Sequence, residues 1–213
     1  MSPSASEFFA SACSDFALVP ALYHVAKHKR HFTLFIGIFQ FIAALLFNTS
    51  HALGVKLFLS ALQWHFINDV LALNFACCLL VHCMGNRSEN LNTILRYLSF
   101  ALAWIFKLRD QWDSALWEVF LVVMYALAAI YGMFILNPRL MKLWDVDSIK
   151  KGGLCFCAAI ILFGLKLNPR ASPIFAGFMH LFAGGASFFF WKAVPVMDKK
   201  NDSLLPTAAS AFR

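Results

Sequence analysis

Long apolar runs alternate with short polar breaks along the chain, and within each run the apolar residues are continuous rather than alternating one by one. Seven runs separate, at residues 8–26, 32–48, 61–84, 91–106, 116–136, 153–167 and 173–196. About 20 mostly apolar residues carry a helix across the hydrocarbon layer. A helix satisfies its own backbone groups in lipid, which an open sheet cannot do, and membrane strands alternate. The pattern predicts an all-α membrane protein, a seven-transmembrane helix bundle. Runs two, four and six are short, so six and eight are the neighbouring counts. One domain covers residues 1–196, and 197–213 form a polar tail.

Composition strengthens this reading. Of 213 residues, 61% are hydrophobic and 14% charged, against roughly half and a quarter in soluble domains. One globular core of this size leaves too much surface in water to hide that excess. The net charge of +7 raises nucleic acid as a partner, but its distribution speaks for topology. With the N-terminus outside, the inner segments hold thirteen of the eighteen Lys and Arg residues. Short cytoplasmic loops collect these residues, so the N-terminus is expected outside and the C-terminal tail in the cytoplasm. The partners expected are membrane lipids, with anionic inner-leaflet lipid at the basic loops, in the plasma membrane or an endomembrane. Residues 1–7 carry no Lys or Arg, so the first run is expected to act as its own insertion signal. The six cysteines form no spaced pair in an outer loop, and no disulfide framework is expected. The Asn-x-Ser sequons at Asn48, Asn86 and Asn201 lie against the membrane or inside and are expected to stay unglycosylated.

Candidate chemistry rests on ionisable residues at membrane depth, each costing about 2.5–3.5 kcal/mol at mid-span unless partnered. They are Asp15, His51, His65, Asp69, His82, Glu118 and His180. His51 ends the second span on the outer side. His65 and Asp69 lie one turn apart on one face of the third, and His180 lies about two turns into the seventh. Three helices thus bring His51, Asp69 and His180 to similar depth, with His65 able to join them. Imidazole and carboxylate are ordinary zinc ligands; such a metal activates water, and a nearby carboxylate can orient that water or take its proton. Hydrogen bonding between helices is the competing reading. Asp15 and Glu118 either reach the same cavity or snorkel to the outer interface. Ala176, Gly177, Gly184 and Gly185 on the last span permit close helix packing.

The stretch Ser14-Asp15-Phe16-Ala17-Leu18-Val19-Pro20, with the basic turn Ala26-Lys27-His28-Lys29-Arg30, resembles the myomaker and transmembrane-protein-8 family of the CREST superfamily. The likeness continues at His51-Ala52, Asp69, Arg109-Asp110-Gln111-Trp112 and Phe178-Met179-His180. Relatives in the superfamily are alkaline ceramidases and adiponectin/progestin-type receptors. The resemblance implies a zinc-dependent lipid amide or ester hydrolase, with His51 and His180 as metal ligands and Asp69 as the catalytic carboxylate that orients water; His65 or Asp69 could complete the two-histidine site. It equally implies a non-enzymatic protein of membrane fusion or remodelling. Two positions depart from the enzyme pattern: Ala176 stands where a second histidine of the last span is expected, and Phe47 where a serine is.

Overall fold

The computed structural model describes residues 12–86, 88–109, 116–166 and 173–195; the polar tail 197–213 lies outside them. A 3₁₀ turn, Asp15–Leu18, leads into α1 (Val19–Lys27), followed by α2 (His31–Leu53), α3 (Ala61–Cys83), α4 (Glu89–Arg109) and α5 (Leu116–Tyr131). A π turn (Gly132–Leu136) and a 3₁₀ segment (Pro138–Leu143) connect α5 to α6 (Val146–Lys166), and α7 (Pro173–Ala193) closes the series. Five of these helices are long and apolar enough to cross a membrane: α2, α3, α4, α5 with its π turn, and α6. The chain is therefore built as a multi-pass helical membrane protein. Its outward faces carry large exposed apolar side chains, among them Phe35, Ile42, Leu127 and Ile161, which lipid solvates and water would not.

α3 is the central helix: half of its spanning window is buried, against 17% for α6. One face (Trp64, Leu71, Phe75, Cys78) packs with Ala21, Leu22, Val25, Ile36 and Trp191. Another (Phe66, Val70, Cys77, Val81) packs with Ala103, Leu121 and Tyr125. A helix buried on two faces has no single apolar stripe. Polar groups inside this core are paired, as the low dielectric demands: Asn74 donates to Ser99 Oγ at 2.9 Å, and Tyr125 to the Leu95 carbonyl at 2.7 Å.

Local chemistry sets the ends of α2 and α3. Gly54 sits at φ +63° just past α2, the left-handed position that favours glycine after a helix. Ser60 and Gln63 form a reciprocal capping box at the start of α3, and Trp64 Nε1 donates to the Leu57 carbonyl at 2.8 Å. α7 packs along α6 and against both α1 and the Asp15–Leu18 turn. A Cβ on Gly184 would strike the Ala17 carbonyl, so only glycine lets α7 lie this close to the turn. Gly185 faces Cys155 instead, its notional Cβ at an ordinary 3.5 Å from the sulfur. All six cysteines are free.

Candidate functional site

His180 and Gly184 are four apart and share one face of α7. The close approach at Gly184 therefore brings the start of the 3₁₀ turn onto His180. Ser14 Oγ lies 3.0 Å from His180 Nδ1, and Asp15 Oδ1 lies 3.2 Å from the same nitrogen. The other oxygen of Asp15 accepts a 2.6 Å hydrogen bond from Asn48 Nδ2 on α2. The Asp15 side chain is 8% exposed, so it is held inside and does not snorkel to the interface. A hydrogen bond to Asp15 places a proton on Nδ1, so Nε2 accepts when the ring is neutral and donates when it is charged. Serine and aspartate address one ring nitrogen rather than opposite ones, so they hold the ring and do not relay a proton through it.

These residues line a cavity of about 350 Å³ between α2, α3 and α7, together with Gln40, His65, Asn68 and Asp69. Asp69 is tied on both sides: its Oδ1 meets His65 Nδ1 at 3.1 Å, and its Oδ2 meets Lys107 Nζ at 3.0 Å. Lys107 also meets Glu118 at 2.5 Å, so α3, α4 and α5 are joined by one buried ammonium between two carboxylates. Glu118 is thus a partner of Lys107. Two cavity atoms have no hydrogen-bond partner although fully buried, Gln40 Oε1 and Asn68 Oδ1. Each such group costs about 1–3 kcal/mol.

The structure brings together His180, Asp69 and His65 of the residues singled out from the sequence. His51 is exposed in the last turn of α2 and does not line the cavity. Phe47 explains the separation: its ring lies 5.8 Å from His51 and stacks on His65 at 4.7 Å, filling the space where a ligating pair would meet. Among the described residues no group of three His, Cys, Asp or Glu side chains is placed to hold a metal. His51, His65, Asp69 and His180 do not form such a group. His82 lies at the far end of α3, its ring 5.4 Å from Trp191.

Five cavity or support residues were not visible as such in the sequence: Ser14, Gln40, Asn48, Asn68 and Lys107. Asn48 reads there as a sequon and Lys107 as an outer basic residue; the usable signal is that Asn48 lies within an apolar run and Lys107 directly follows one. A family model described as "Protein of unknown function (DUF3522)" matches residues 4–181, a stretch that includes Ser14, Asp15, Asn48, Asp69 and His180. No curated protein matches the chain.

Proposed function

The chain belongs to the family described as Protein of unknown function (DUF3522), and on that premise we propose that it takes the polar head of a membrane lipid into the cavity between α2, α3 and α7. The head is one that donates hydrogen bonds, through hydroxyl or ammonium groups. In this reading the chain crosses the membrane seven times with its N-terminus outside, and the cavity opens in the outer half. The activity is lipid handling, of the fusion or remodelling kind that the myomaker-type resemblance implies, rather than zinc-dependent hydrolysis.

The observation that carries the reading is the acceptor-rich lining at membrane depth. Gln40 Oε1 and Asn68 Oδ1 are buried and unpaired, and the carboxylates of Asp15 and Asp69 line the same space. Ionisable residues are kept within membrane spans mainly where they act on a ligand, ion or proton. A donor-bearing head would complete the two orphaned carbonyls. The basic residues of the inner segments supply the orientation.

The test uses full-length protein in lipid nanodiscs and native mass spectrometry of retained lipid. Gln40→Leu and Asn68→Leu remove unpaired acceptors, so they leave thermal stability unchanged or raised while bound lipid falls by about tenfold. Retention equal to that of the unchanged protein in both variants would sink the proposal. Release of fatty acid from lipid amides or esters that depends on added zinc would restore the hydrolase reading.

A further inference from the structure

At the opposite end of the bundle, the turn between α1 and α2, the end of α3, the start of α4 and the end of α7 bring Arg30, His82, Arg96 and Trp191 together. The Arg30 guanidinium lies over the Trp191 ring, 5.0 Å from its centre, and the His82 ring meets the same indole edge-on at 5.4 Å. Arg30 makes no ion pair with a carboxylate among the described residues. Its pKa is pushed down to about 10, first by burial and then by the charge of Arg96. Three buried nitrogens here have no hydrogen-bond partner: Arg30 Nη1, His82 Nε2 and Arg96 Nε. Among the described residues Arg96 is paired only through Nη1, at 2.8 Å from a Glu89 side chain that is 70% exposed.

Two like charges drawn together with their donors unsatisfied are costly, and a shared anion relieves both costs at once. We propose that Arg30, His82 and Arg96 form a binding site for a phosphate group. Arginine forks match the oxygens of a tetrahedral phosphate, and a histidine Nε2–H adds a third donor. Trp191 fixes the Arg30 fork from one face and limits its freedom before binding. The inner membrane boundary offers such a group as a lipid phosphate; soluble inorganic phosphate presents the same chemistry. The site stands apart from the acceptor-lined cavity and does not depend on how that cavity is used.

The experiment measures thermal midpoint against ligand for the full-length protein in nanodiscs of galactolipid, which carries no phosphate. One arm dopes the discs with phosphatidic acid; the other adds inorganic phosphate. Phosphatidic acid raises the midpoint, and inorganic phosphate does so only at much higher concentration. A response to inorganic phosphate alone, equally dependent on Arg30, keeps the site and makes its ligand the soluble anion. Arg30→Gln and Arg96→Gln weaken the response by about tenfold or more, the value of a charge-assisted hydrogen bond. Lys27→Gln, an exposed charge beside the same turn, leaves it intact. Glu89→Gln frees Arg96 and strengthens binding, an effect that a purely structural arginine pair does not give and that needs no arginine variant to fold. Equal responses in Lys27→Gln and Arg30→Gln, or none to either phosphate source, would overturn the site.

Discussion

Replacing Lys107 by Met tests whether one ammonium holds three helices together. Lys107 Nζ lies 3.0 Å from Asp69 and 2.5 Å from Glu118, with the lysine side chain 11% exposed and both acids 24% exposed. At an effective dielectric near 20, each contact represents about 5 kcal/mol of gross attraction. Desolvation of the ammonium offsets much of this. The substitution removes both attractions and leaves two carboxylates facing each other. Removing one partner of a buried pair costs about 3–5 kcal/mol; the partial exposure of the acids places the expected loss near the lower figure, about 3 kcal/mol. Cys77 and Cys78 are fully buried on α3, so with Cys13, Cys155 and Cys157 replaced by serine throughout, labelling by a thiol-reactive fluorophore reports unfolding. The labelling midpoint of Lys107→Met should fall by about 6–12 °C on the scaling for domains of this size. The triple change Lys107→Met, Glu118→Gln, Asp69→Asn should recover most of it, since no uncompensated charge remains. A single variant as stable as the parent, or a triple variant as unstable as the single, would refute the reasoning.

Three further outcomes follow from the same contacts. Gly184→Leu drives a side chain into the Ala17 backbone and should cost about 1–3 kcal/mol, whereas Gly185→Ala should stay within about 0.5 kcal/mol; thiol labelling compares the two. Asn48→Leu leaves Asp15 Oδ2 without its donor and should cost about 1–3 kcal/mol, with strong coupling to Asp15→Asn in a double-mutant cycle. Asp145, outside the spans, accepts hydrogen bonds from Ser148 N at 3.2 Å and Ser148 Oγ at 2.6 Å at the start of α6, which hold its carboxyl below the ordinary 3.8. Its contribution to the first turn of α6 is present above that ordinary value and is lost as pH falls through the lower folded-state value. Protection of the amides there, after correction for the intrinsic exchange rate, should therefore fall only in acid, and not in Asp145→Ala, which lacks the bond at any pH.

The helices were legible because apolar run length is a one-dimensional signal: the five described spans match runs two to six to within a few residues, except that α6 starts seven residues earlier than the apolar run it contains. Its first turns carry Asp147, Ser148, Lys150 and Lys151, and a capping aspartate starts the helix before the apolar stretch begins. The cavity was legible only in part, because membership depends on how each helix is rotated about its axis. His65 and Asp69, four apart on α3, both line the cavity. His51 does not, since Phe47 occupies the space one turn before it and stacks on His65. Asp15 was read as able to reach the interface; its inward direction is set by Gly184 packing on Ala17, a tertiary contact between residues far apart in sequence. Lys107 directly follows the apolar run 91–106, and position alone places it among the outer charges. Its two carboxylate partners come from different helices, and no spacing along the chain announces them.

The central claim, that a lipid head enters the space between α2, α3 and α7, is tested most directly by a photoreactive lipid carrying its diazirine beside the head group. After irradiation in membranes, peptide mapping by mass spectrometry should place adducts on the cavity residues Phe47, His65 and Met179. Adducts confined to lipid-facing residues such as Phe35 and Ile161, with none in the cavity, would contradict it.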